Sequence, residues 1–228
     1  MSFLTKLSSQ ILASFENWGK LIEKITMKFL YITFIFSFLF GGDSSVETVT
    51  FDVIMRNKKV GELIATKTVK SDLVVYKSAT KIKTQILKEI NVDYDFDVTF
   101  HKNILIKSNA NILVNGRVQD ETSVQWNGKE YQVTYHKNRQ KSFSDSIYYS
   151  SIMLLFDEPI TDKISFSEQD GTFHKIKEVE KNGYEKINQK GRINKYFYKN
   201  GKLKLAEINA GLIKFQIAVP ESYSRVRK

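Results

Sequence analysis

Val92-Asp-Tyr-Asp-Phe-Asp-Val-Thr-Phe-His101 alternates without a break. In an extended chain Val92, Tyr94, Phe96, Val98 and Phe100 share one face, and Asp93, Asp95, Asp97 and Thr99 share the other, because successive strand side chains point to opposite sides. One face is buried and one is wet, as in an antiparallel sheet covered on one side. The same period recurs where Tyr131, Val133 and Tyr135 oppose Glu130, Gln132, Thr134 and His136, and where Ile213, Phe215, Ile217 and Val219 oppose Lys214 and Gln216.

Turn dipeptides punctuate this pattern. Asn115-Gly116, Asn127-Gly128, Asn182-Gly183 and Asn200-Gly201 are strong tight-turn signals, since Asn and Gly accept the positive φ of primed hairpin turns. Asn57-Lys58, Ser71-Asp72 and Lys102-Asn103 are weaker signals of the same kind. About ten strands are expected on this spacing. One segment departs from period two: Ser144-Asp-Ser146 offers N-cap residues for an apolar stretch from Ile147 to Phe156, stopped by Asp157-Glu158-Pro159. The expected fold is therefore mainly β, a curved antiparallel sheet or open half-barrel with one short helix on its concave face. The competing reading of Ile147–Phe156 is a buried strand.

The chain has 228 residues, 42% hydrophobic and 13% aromatic, enough for a sizeable core. No cysteine is present, which excludes disulfides, thiolate metal sites, thiol nucleophiles and a lipid-modified N-terminal cysteine. The net charge of +10 is spread singly over strands, as at Lys77, Lys81 and Lys83, with no compact basic run. A solvated polar face is the reading, and nucleic acid is not expected as a partner.

Lys28, the 12 residues Phe29–Phe40 and then Gly41-Gly-Asp-Ser-Ser45 have the layout of a signal peptide, too short in its apolar part for a bilayer span. Residues 27–44 are assigned to it, and residues 45–228 to one exported antiparallel β domain of the periplasm or cell envelope of a Gram-negative bacterium. Residues 1–26 have two readings. Either Met27 is the true start, or Leu4, Leu7, Ile11, Phe15, Trp18, Ile22 and Ile25 form an amphipathic helix that lies on the membrane. On the first reading membrane contact is transient, during export.

Phe51-Asp-Val53, Lys59-Val-Gly-Glu-Leu63, Phe156-Asp-Glu-Pro159, Ser167 with Gly171, and Tyr196-Phe-Tyr-Lys-Asn-Gly-Lys-Leu203 resemble uncharacterised exported β-rich families known as domains of unknown function. The resemblance runs from Val49 to Val219 and implies no catalytic residues. In plan the chain is more remotely similar to periplasmic lipoprotein-carrier half-barrels, a likeness of fold alone.

No stretch has a spacing that demands chemistry. Asp93, Asp95 and Asp97 stand about 7 Å apart along one strand face, too far to chelate one ion together, and are expected to pair with Lys77, Lys81 and Lys83. His101, His136 and His174 are read as surface histidines. Asp157 and Glu158 are read as a helix stop, and Ser144, Ser146, Ser150 and Ser151 as backbone-capping residues. No metal site, cofactor or catalytic group is expected, and the protein is read as no enzyme; a hydrolase would need His101, His136 or Glu158 to meet in a pocket. The remaining signal is apolar excess. Tyr94, Phe96, Tyr148, Tyr149, Met153 and Leu154 are the candidate lining of a concave cleft for an apolar ligand. The expected partner is a lipid or lipidated protein. Alternatively, the domain is a structural module whose free strand edges pair with another envelope protein.

Overall fold

The computed structural model describes residues 44–85, 89–210 and 213–220. The expectations for residues 1–26 and for the signal segment up to residue 43 lie outside them. From Ser44 onward the chain forms fourteen strands: β1 (Ser44–Met55), β2 (Lys58–Lys70), β3 (Leu73–Gln85), β4 (Glu89–His101), β5 (Ile104–Val114), β6 (Arg117–Trp126), β7 (Tyr131–Tyr135) and β8 (Gln140–Phe143), then β9 (Ile164–Ser167), β10 (Thr172–Glu180), β11 (Gly183–Ile187), β12 (Ile193–Lys199), β13 (Lys202–Asn209) and β14 (Lys214–Ala218).

All fourteen belong to one antiparallel sheet, with order β8-β7-β6-β5-β4-β3-β2-β1-β14-β13-β12-β11-β10-β9. It consists of two meanders, β1–β8 and β9–β14, joined where Asp52, Val53 and Ile54 of β1 pair with Ala218, Ile217 and Gln216 of β14. The strand count corrects the expected ten. β8, β9 and β11 have four or five residues each, too few for a period of two to stand out.

Turn chemistry sets the hairpins. Asn115 and Gly116 have φ of 50° and 74°, and Asn200 and Gly201 have 55° and 73°, the left-handed pair that a type I′ turn needs. The turn after β1 falls one residue earlier than expected, at Arg56-Asn57, with φ of 48° and 61°. Gly61 answers a different demand: a Cβ there would meet the carbonyl of Lys81 on β3, so only a residue without a side chain lets the two strands approach.

Register shifts at Val53/Ile54, Thr99/Phe100, Ile112/Leu113, Glu178/Glu180 and Phe197/Tyr198 add twist, and the sheet curls until its two end regions touch. β8 and β9 share no ladder, so the curl stays open in hydrogen-bonding terms. The seam is made by side chains instead. Phe143 of β8 packs 5.9 Å from Phe166 of β9 and 5.7 Å from Phe173 of β10. Thr122 Oγ1 of β6 and Tyr135 Oη of β7 donate to the carbonyls of Gln169 and Asp170 in the β9–β10 turn, at 2.8 and 3.3 Å.

Residues 144–163 connect these two edges, burying Ile147, Ile152, Leu154 and Phe156 on the way, and here the expected helix is corrected. The segment has no α-helix; its one helical element is a five-residue 3-10 turn, Ser151–Leu155. The reason lies in its backbone groups, which partners distant in sequence have claimed. Ile147 O accepts from Leu105 N, Tyr149 O accepts from Phe166 N, and Ile152 N donates to Glu168 Oε1. These bonds replace the local ladder that an α-helix would require. Ser144 and Ser146 therefore cap nothing. Ile147, Ile152, Leu154 and Phe156 sit in the same apolar cluster as Phe51, Val53, Val98, Leu105 and Val133.

Candidate functional site

A cavity of about 160 Å³ lies between the connecting segment and the curled sheet. The long strands β2–β4 supply Leu63, Ser78, Thr80, Tyr94 and Phe96, while Phe215 and Ile217 come from β14; Ile152 and Leu155 of the 3-10 turn complete the apolar part. Another part of the lining is ionisable. It consists of Glu168 and Asp170 from the β9–β10 turn, His174 of β10, Lys186 of β11 and Arg192 just before β12.

Each of these polar side chains has a local reason for facing inward. His174 is in phase with buried Ile176, and Lys186 is in phase with buried Tyr184. The β9–β10 turn is closed by a 2.8 Å bond from Gly171 N to Ser167 O, with Gly171 at φ 60°. A Cβ on Gly171 would strike Tyr135 Oη and Val133 Cγ1, so glycine lets this turn press against β7 and tuck Glu168 inside, 3% exposed.

The electrostatics are uneven. Glu168 Oε1 is taken by Ile152 N at 3.0 Å. Asp170 Oδ2 lies 2.9 Å from His174 Nε2. The Asp170 carboxyl is held below the usual carboxylate range, first by His174, against burial, and further by the fields of Lys186 and Arg192. His174 Nδ1 has no hydrogen-bond partner among the described residues. Lys186 Nζ donates to Ser151 Oγ at 2.8 Å, and Ser151 Oγ donates onward to Phe166 O at 3.1 Å. That direction of proton sharing is opposite to the one that would activate a serine, which needs a neutral amine accepting from the hydroxyl. Ile152 N, the neighbouring amide, is already taken by Glu168. The pair is a positioned cation beside a hydroxyl.

Of the residues singled out from sequence, Tyr94 and Phe96 line this cavity. Tyr148 does not, being 63% exposed; Leu154 is core, 1% exposed, and its carbonyl accepts from Tyr198 Oη at 2.8 Å. Tyr149 and Met153 pack against the core outside the lining, and burial pushes the Tyr149 hydroxyl up. His174 corrects the surface reading of the histidines: it is 4% exposed, whereas His101 is exposed and His136 half-buried. Asp157 binds Lys67 and Lys202 at 3.0 and 2.8 Å. Glu158 accepts from Asn182 Nδ2 and Tyr184 Oη, whose pKa is pushed up to about 12 by burial and by that carboxylate. Both acids are spent on structure. On the outer face of β4, Asp97 pairs with Lys77 at 3.1 Å and Asp93 stands opposite Lys81, while Lys83 faces Asn91 instead. Among the described residues no three His, Asp or Glu side chains group as metal ligands.

Glu168, Asp170, Lys186 and Arg192 were not legible as site residues. Alternation places Lys186 with Tyr184 and His174 with Ile176, a usable signal; nothing local marks Glu168-Gln-Asp-Gly171 as more than a hairpin turn.

The family model described as "Domain of unknown function (DUF6134)" matches residues 51–219. The chain belongs to this family. Among solved structures, this DUF6134 domain is similar to a beta-barrel-like protein of domain of unknown function DUF1849 from Brucella abortus, at 9% identity and a TM-score of 0.48, covering 75% of this chain and 94% of that one. No curated protein matches the chain.

Proposed function

We propose that the DUF6134 domain is a non-catalytic binding domain of an exported envelope protein, holding the apolar part of a small ligand inside its curled sheet. The observation that carries this is the cavity, walled by Leu63, Tyr94, Phe96, Phe215 and Ile217 and roofed by Ile152 and Leu155. Export rests on the apolar run Phe29–Phe40 behind Lys28.

Size narrows the lipid expectation. At about 160 Å³ the space is close to that of an apolar protein cavity of about 150 Å³ that takes one benzene, so a ring or about six carbons fits and a whole acyl lipid does not. Pairing through free sheet edges has less support. β8 is four residues long and carries Lys141, and on β9 the Phe166 amide is bonded to Tyr149 O.

The test is titration with 1-hexanol followed by backbone NMR. Saturable shifts confined to β2–β4, β14 and the 3-10 turn are expected, and they should vanish in Leu155→Trp, which fills the cavity. Shifts spread over the surface, or none, would overturn the reading.

A further inference from the structure

Lys186 is buried to nine-tenths, yet its ammonium spends one of three N–H groups, on the neutral hydroxyl of Ser151. Among the described residues no carboxylate makes ion-pair contact with it. Arg192, half-buried in the same lining, has a guanidinium that makes neither hydrogen bond nor ion pair to a described residue; its bonds are made by the backbone, the N–H donating to Asn188 Oδ1 and the carbonyl accepting from Asn188 N. Of the two carboxylates in the lining, Glu168 accepts from the Ile152 amide and Asp170 stands against His174, reached by Lys186 and Arg192 only through their longer-range fields. A buried cation without a contact partner is costly. The unspent donors of this lining are thus cationic, and they share the cavity with apolar side chains.

We propose that the ligand of this domain is a small organic monoanion, a carboxylate on an apolar body of about six carbons, whose charged end is bound by Lys186 and Arg192. The inference rests on the cavity reading above and adds the headgroup. A guanidinium offers a planar fork that matches a carboxylate, and the lysine supplies a second, point-like charge. Leu63, Phe96 and Phe215 take the apolar end.

Hexanoate and 1-hexanol separate the two readings, since they share a chain and differ in the charge. Calorimetric titration of the intact protein at neutral pH is expected to show hexanoate binding at least about tenfold tighter than hexanol, the scale of one charge-assisted hydrogen bond. Lys186→Met and Arg192→Gln should each erase most of that preference, hexanoate losing more affinity than hexanol; Arg192, half-buried, is the substitution less exposed to folding defects. Equal affinity for the two probes overturns the anion inference and leaves the cavity reading standing. Binding of neither overturns both. Tight palmitate binding with none by hexanoate would assign the site to a lipid tail and also overturn the inference, as would a preference unmoved in both variants.

Discussion

The two meanders of this sheet are built differently. Strands β1–β6 run ten to thirteen residues and pair along nearly their whole length, whereas β9–β14 run four to nine. The long meander contributes only apolar and hydroxyl side chains to the cavity; the short one adds Phe215 and Ile217 and contributes all of the ionisable groups. The long half is a scaffold held by backbone ladders. The short half can carry buried charge because its strands are tied down from outside the ladder, by Phe143 meeting Phe173 edge-on and by Thr122 and Tyr135 reaching across the seam.

That contrast can be broken at its strongest point first. Gly61→Ala drives a methyl group into the Lys81 carbonyl and should cost about 3 kcal/mol, read by urea unfolding; a neutral result would mean that β2 and β3 are not held as closely as their ladder implies. Next comes the fastening of the connecting segment to the long half. Tyr131 Oη donates to Leu105 O at 2.8 Å and accepts from Ile147 N at 3.3 Å, fully buried, so Tyr131→Phe strands an amide and should cost about 2 kcal/mol in the same assay.

The ionisable wall should answer in the opposite sense. Lys186→Met in the ligand-free protein is expected to change stability by less than about 1 kcal/mol, or to raise it, because a buried cation with one neutral partner is replaced by a side chain of similar volume. A large loss would assign Lys186 to the scaffold instead.

The smallest effect sharpens how the connecting segment is fastened. Burial pushes the Asp157 carboxyl up, but Lys202 and Lys67 outweigh it and hold it below its ordinary value. A depressed folded pKa means stability that is complete above the unfolded pKa and lost as pH falls through the folded one. The acid limb of the stability curve, below about pH 4, should therefore carry up to about 0.5 kcal/mol from Asp157, small because the pairs are exposed. Asp157→Asn should flatten that part of the limb, as read by thermal unfolding across pH.

Alternation in Val92–His101 and the Asn-Gly turns decided from the sequence alone that this chain makes a one-sided antiparallel sheet, because both are properties of a few neighbouring residues. Tyr94 and Phe96 could be placed on the inner face for the same reason. The tertiary structure decided the rest. Ile147–Phe156 has the composition of a helix but surrenders its backbone groups to Leu105, Phe166 and Glu168, which are 16 to 42 residues away. Lys186 and Arg192 look like two more of the chain's evenly spread cations until the curl of the sheet turns them toward Phe96 and Phe215. A period of two says which side chains share a face, but not which strand ends meet; that depends on bulges and on an aromatic seam between residues distant in sequence.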